Sequence, residues 1–227
     1  MDCHRSAPTI LTPLALHFLD PDSPMMVDSG GFLDSSGAPD GVPGSTVVRS
    51  DGRASLQGDM KAAAHQLTDS TGRTYAVRPY AATDREGLQA MYEAFEAKRV
   101  AQGLPPAEPA GIRHWLDRVL ARGEHVVVEE DGRIVGHAML IPMEDGGAEL
   151  ANFLHQSIRG RGLGTALNRV MVELAGEVGY RRVWLCVEPW NRAAVRSYLK
   201  AGFRILPGTL TASEVEMEAI PRSPARE

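Results

Sequence analysis

Between Gln156 and Thr165 the chain reads Gln-Ser-Ile-Arg-Gly-Arg-Gly-Leu-Gly-Thr, and no other stretch limits the possible folds so tightly. A strand-like run, Ala148 to His155, leads into it. A run with Leu163, Leu167, Val170, Met171, Leu174 and Val178 at helical spacing follows. A strand that turns through glycines into a helix bares the unpaired N–H groups of the first helical turn, at the positive end of the dipole. Glycines let the backbone approach a ligand and take positive φ. Arg159 and Arg161 add charge, so the turn is a site for phosphate or diphosphate. A nucleoside-triphosphate loop needs Lys and then Ser or Thr after its last glycine; Gly164 is followed by Thr165 and Ala166, so that reading fails. A dinucleotide fold wants a third glycine where Thr165 stands and an acid about 20 residues on, where Glu188 roughly falls. That match is partial, and the hairpin upstream does not suit a βαβ unit.

The surrounding pattern predicts one α/β domain. Tyr75–Tyr80 reads as a strand. Ala82–Ala101 reads as a helix through Leu88, Met91, Tyr92 and Phe95, with Thr83 or Asp84 as its cap, and Gly103-Leu-Pro-Pro breaks it. A second helix carries Ile112, Trp115, Leu116, Val119 and Leu120 and ends at Gly123. His125–Glu130 and Arg133–Pro142 form a hairpin about Asp131-Gly132, a turn that needs positive φ. Arg182–Val187 is a strand, and Asn191–Ala201 a helix with Ala194, Val195, Tyr198 and Leu199 on one face. Phe203–Leu206 and Ser213–Ile220 are final strands. The order β-α-α-β-β-β-α-β-α-β-β predicts a mixed sheet with helices against its faces. Residues 1–72 are different. They are dense in Gly, Ser, Pro and Asp and cannot bury enough surface to offset the entropy of ordering. They are expected to be a low-complexity extension, mostly loop, with one short helix over Met60–Leu67. It could serve as a regulatory or partner-binding tail or be dispensable. The domain is expected over 73–221, with 222–227 as a tail.

Two blocks give the domain a family likeness. Arg159, Gly162 and Gly164 fit the pattern Gln/Arg, two residues, Gly, one residue, Gly/Ala. After the next strand, Asn191, Ala194, Tyr198, Lys200, Gly202 and Phe203 fit a second pattern. Together they resemble the GCN5-related N-acetyltransferase (GNAT) superfamily. Gln156 stands where a proline is common, a departure expected to change only the local turn. The resemblance implies a mostly antiparallel sheet splayed between its fourth and fifth strands, counted from Tyr75, with helices on both faces. It implies acetyl-CoA as cosubstrate, the pantetheine arm bonding along Phe153, Leu154 and His155. The diphosphate would rest on Arg159, Gly160, Arg161, Gly162, Leu163, Gly164 and Thr165, and Asn191 would approach the pantetheine end.

A lysine-like amine is neutral in only about one molecule in 2,500 at pH 7, so transfer gains from a base, and the departing thiolate from an acid. The resemblance offers Tyr198 as the acid and Glu149 as the base, with His155 as a second candidate base. Glu93, Glu96, His114 and Trp190 are further polar or aromatic groups that could border an acceptor. The expected activity is direct transfer of an acetyl group to a primary amine of a small molecule or peptide. A non-catalytic acetyl-CoA sensor and a dinucleotide oxidoreductase are the alternatives. A net charge of -5 argues against a nucleic-acid partner. Two cysteines, Cys3 and Cys186, make neither a disulfide framework nor a metal site, so no metal is expected, and Cys186 reads as a buried core thiol. No run is long enough to span a bilayer, and Ile10–Leu19 has weak flanks for a signal peptide, giving a cytoplasmic expectation without a membrane partner. A homodimer is a family-level expectation.

Overall fold

The two-residue turn at Asp131 and Gly132, with φ of 50° and 75°, fixes the central hairpin. It joins β3 (Glu124–Glu130) to β4 (Arg133–Pro142), and β4 is buried from Ile134 to Ile141 because sheet and helices cover both its faces. The computed structural model describes residues 65–97, 101 and 103–222. Around the hairpin lies an eight-stranded sheet in the order β1-β2-β3-β4-β5-β6-β8-β7. Its other strands are β1 (His65–Thr68), β2 (Thr74–Pro79), β5 (Ala148–Leu154), β6 (Val183–Val187), β7 (Arg204–Ile205) and β8 (Val215–Ala219). Neighbours are antiparallel except β5 and β6.

Helices α1 (Arg85–Glu93) and α2 (Pro109–Val119) cover one face. Leu88, Tyr92, Ile112, Trp115 and Leu116 interlock there with Val127, Met139, Ile141 and Phe153. Strand alternation sends Leu140, Leu150 and Asn152 to the opposite face, under α3 (Leu163–Val178). Helix α4 (Arg192–Lys200) packs beside α3.

A hydrogen-bonded chain crosses the α1 side of the core. His125 Nε2 lies 2.8 Å from the Arg122 carbonyl, which can only accept, so that nitrogen carries the proton. With both rings neutral, His137 Nε2 donates to His125 Nδ1 (3.1 Å) and the Tyr92 hydroxyl donates to His137 Nδ1 (2.8 Å). Burial holds both imidazoles below their ordinary pKa, His137 by far the more, with the His125 charge adding to the effect there.

Four expectations change. Residues 65–67 are extended rather than helical. Leu67 pairs with Tyr75, and half-buried and exposed residues alternate along β1 in step with β2. The remainder of the Met60–Leu67 helix, the apolar run Ile10–Leu19 and the rest of the N-terminal extension lie outside the described residues. The helix expected over Ala82–Ala101 stops at Glu93, because the Gln156 side chain donates to Ala94 O (2.8 Å) and accepts from Glu96 N–H (3.0 Å). Leu199 is 47% exposed, since α4 turns Ser197 and Tyr198 inward instead. Cys186 is half-buried, on the β6 face away from α3, with its sulfur 3.6 Å from a Glu214 carboxylate oxygen.

Candidate active site

Strands β5 and β6 pair only through Ala148–Val183 and Glu149–Trp184, then part. With β1 counted, this is the splay expected between strands four and five. The His155 N–H donates to Val135 O and the Ala148 N–H to Arg182 O. Alternation between those two points aims the main-chain groups of Leu150, Asn152 and Leu154 into the gap and those of Ala151 and Phe153 at β4. The main chain of Phe153 and the His155 N–H therefore face β4, and the His155 carbonyl accepts from Ile158 N–H (3.1 Å), so of the expected pantetheine contacts Phe153, Leu154 and His155 only Leu154 turns its main chain to the gap. The Leu154 carbonyl already accepts from Arg159 Nε (2.8 Å).

At the open end of the gap the chain passes through a 3-10 turn, Gln156–Ile158, and the glycine turn into α3. Gly160 and Gly162 have φ of 76° and 88°, where a side chain would be strained. A Cβ on Gly164 would sit 3.2 Å from Ser197 Oγ, so glycine there lets α3 and α4 approach. Among the described residues, the N–H groups of Gly160, Arg161, Gly162, Leu163 and Gly164 donate to no protein acceptor. Arg159 N–H and Thr165 N–H are taken, by Gln156 O (3.4 Å) and Gly162 O (3.1 Å). The side chains were not foreseen. Leu163 is core. Arg159 lies over the Phe95 ring, 4.6 Å from its centre. Arg161 turns to Tyr75 and Asp69, at 3.3 and 3.5 Å. The turn offers amides before it offers charge.

Tyr198 lies on the inner face of α4, at the α3 side of the gap, 9% exposed and against Phe203. Burial pushes its phenol up to about 12. Asn152 beside it pulls down, and the Glu188 charge adds a little. Asn152 Nδ2 donates to Asn168 Oδ1 (2.6 Å), Asn168 Nδ2 donates to Ser197 Oγ (3.2 Å), and Ser197 Oγ lies 3.3 Å from Thr165 Oγ1. Polar side chains thus run from the glycine turn to the phenol. The sequence reading missed Asn168 and Ser197; a buried Asn next to Leu167 in an apolar helix stripe was the available signal.

Glu149 shares the α1/α2 face of β5 with Ala151 and Phe153, opposite to Asn152 and Tyr198. The splay lies between the two candidate groups. Pairing across β6 and β8 puts Trp184, Cys186, Glu216 and Glu218 on the Glu149 face. Glu216 accepts from Trp184 Nε1 (2.9 Å), while Glu218 is held by Arg204 (2.5 Å) and Arg182 (3.6 Å). The Asn191 side chain caps α4, accepting from Ala194 N–H (3.2 Å). The His155 side chain bonds Ser157 (2.8 Å) at the rim of a cavity of about 320 Å³ between α1 and the start of β4, remote from the Tyr198 face. Burial, then the Arg133 and Arg159 charges, lower its pKa. Trp190 is 67% exposed just after β6. Glu93 and Glu96 are exposed at and beyond the end of α1, and His114 lies on α2. Among the described residues no group of three or more metal-ligating side chains forms, and no helix is long and apolar enough to cross a membrane.

A gap between two parallel strands, ending at a turn of bare amides, is the arrangement the two motifs imply. Residues 88–203 match the family model described as the acetyltransferase (GNAT) family. The chain belongs to the GNAT family. An uncharacterized N-acetyltransferase of Mycobacterium tuberculosis is 41% identical over 136 residues, covering 54% of this chain and 85% of that protein. The mycothiol acetyltransferase of Amycolatopsis mediterranei is 36% identical over 103 residues, 44% of this chain and 33% of that one. Among solved structures, the GNAT domain of S. lividans PAT aligns with a TM-score of 0.59 at 20% identity, covering 69% of this chain and 96% of that one. The Vibrio cholerae spermidine N-acetyltransferase in complex with CoA and spermine aligns at 0.54 and 15%, covering 65% and 95%. The protein is a GNAT-fold acyltransferase of the N-acetyltransferase type.

Proposed function

We propose that this GNAT enzyme moves an acetyl group from acetyl-CoA to the primary amine of a small molecule or peptide by direct transfer. The observation that carries the reading is the β5–β6 gap closed at one end by the free amides of Gly160–Gly164. The diphosphate would accept from those amides at the positive end of α3. The pantetheine arm would lie in the gap and bond the main chain of Leu150, Asn152 and Leu154 like an added strand. Asn191 would border that arm from the start of α4.

The amine nitrogen attacks the thioester carbonyl, the C–N bond forms, and the C–S bond breaks with both electrons going to sulfur. An N–H of Leu150 or Asn152 facing the gap stabilises the oxyanion. Tyr198 gives its phenolic proton to the thiolate; with a pKa of about 12 the phenol is protonated throughout the neutral range. Glu149, directly or through water, takes the proton the amine loses. Glu149 and Glu216 on one sheet face suit an acceptor that arrives as a cation. Spermidine and aminoglycosides, the amines of structurally similar acetyltransferases, therefore belong in the first acceptor panel.

The test is CoA thiol release from acetyl-CoA with an amine panel. Amine-dependent release supports the reading; tight acetyl-CoA binding without release for any amine overturns it.

A further inference from the structure

The turn between β1 and β2 lies ahead of the family match at 88–203, yet it is joined to the glycine turn. Ser70 N–H donates to Arg161 O (3.0 Å). Arg161 Nη1 donates to the Tyr75 hydroxyl (3.3 Å) and reaches Asp69 Oδ2 at 3.5 Å, and the Tyr75 hydroxyl donates to the same oxygen at 3.0 Å. The other Asp69 oxygen accepts from Thr71 N–H (2.7 Å), Thr71 Oγ1 (2.6 Å) and Arg73 N–H (3.1 Å). The Asp69 side chain has no exposed surface. Burial alone would raise its pKa, but the Thr71, Arg73 and Tyr75 hydrogen bonds outweigh it and keep the carboxylate ionised. A buried anion whose lone pairs are all used is a rigid anchor. It holds the middle residue of the Gly160-Arg161-Gly162 stretch, whose flanking glycines sit at positive φ.

We propose that Asp69, with the Tyr75 hydroxyl, positions the diphosphate-binding amides by fixing Arg161 from outside the family core. The anchor grips Arg161 at two points, its carbonyl and its guanidinium. The Arg161 N–H, together with those of Gly160 and Gly162, is thereby left facing the ligand without a conformational search. The guanidinium acts as a tether to the β1–β2 turn and not as a phosphate ligand. Asp69 and Tyr75 act through the turn and touch neither substrate.

The inference rests on the acetyl-CoA reading, and one experiment separates the two. Steady-state kinetics are measured with acetyl-CoA and with S-acetylpantetheine, which carries the thioester arm without the diphosphate. Wild type uses acetyl-CoA with the lower KM; equal KM values would overturn the diphosphate reading itself. With that preference present, Asp69→Asn raises the KM for acetyl-CoA about tenfold, as expected from losing a charge-assisted contact. The variant leaves kcat/KM for S-acetylpantetheine within about twofold. Tyr75→Phe, which keeps the ring and removes only the hydroxyl, moves the acetyl-CoA KM the same way and stands alone should the Asp69 variant fail to fold. Unchanged KM for acetyl-CoA in a folded variant, or equal losses with both donors, would overturn the anchor.

Discussion

Tyr198 is the residue on which the proposed chemistry turns. Its burial keeps the proton on, and Asn152 beside it opposes that shift without overcoming it. Tyr198→Phe should lower kcat about 100-fold, the low end of general acid catalysis, with acetyl-CoA binding by calorimetry unchanged. Equal turnover would remove the acid role. Since the phenol titrates near 12, wild-type kcat should show no alkaline fall from this group below about pH 10. A second residue-scale prediction concerns the buried imidazoles. Their native pKa values lie below the unfolded value of about 6.5, so the unfolded chain binds protons that the native chain refuses. Stability is fully present above pH 6.5 and falls as pH drops through it, by up to about 1.4 kcal/mol per pH unit for each histidine. Urea titrations at pH 7.5 and 5.0 check this. His125→Gln keeps an amide donor for the Arg122 carbonyl, cannot be protonated, and should show a smaller loss between the two pH values.

At the scale of elements, the glycine turn and α4 were legible because their residue types are forced. Positive φ selects Gly160 and Gly162, and close helix approach selects Gly164. Gly162→Ala meets no atom within 4 Å, so its cost is conformational, about 1–2 kcal/mol. It should raise the acetyl-CoA KM with little change in saturated kcat; an unchanged KM would show that the αL geometry is not needed for binding. The hairpin was equally readable from Asp131-Gly132. The early end of α1 was not, because it is set by Gln156, more than sixty residues away in sequence. Helical periodicity continues through Phe95, which is buried in the aromatic cluster although it lies past the helix. Strand β1 was hidden for a similar reason: four residues have no pattern of their own until β2 pairs with them. The site residues divide in the same way. Tyr198 and the glycines came from motif positions, and Glu149 from the family resemblance of its strand. The Asn152–Asn168–Ser197 chain and the Asp69–Arg161 contact join elements the sequence keeps apart. Gln156→Ala releases the segment Ala94–Glu96 from the turn after β5 and should raise the acceptor KM more than the acetyl-CoA KM in steady-state assays; equal changes in both would contradict this.

For the molecule as a whole, the proposed chemistry spans one splay. Tyr198 and the Asn152 chain stand on the α3 face, Glu149 and its acidic neighbours on the α1/α2 face, and β5 and β6 part between them. A ligand threaded there joins both halves of the sheet. Acetyl-CoA at 100 times its dissociation constant should add about 2.7 kcal/mol to unfolding free energy, and NAD should add none. The most direct test is a crystal structure of the protein with CoA. The proposed cofactor site requires the diphosphate within hydrogen-bonding distance of the Gly160–Gly164 amides and the pantetheine amides paired to Leu150, Asn152 or Leu154. Diphosphate bound elsewhere, with β5 and β6 paired along their full length, would contradict it.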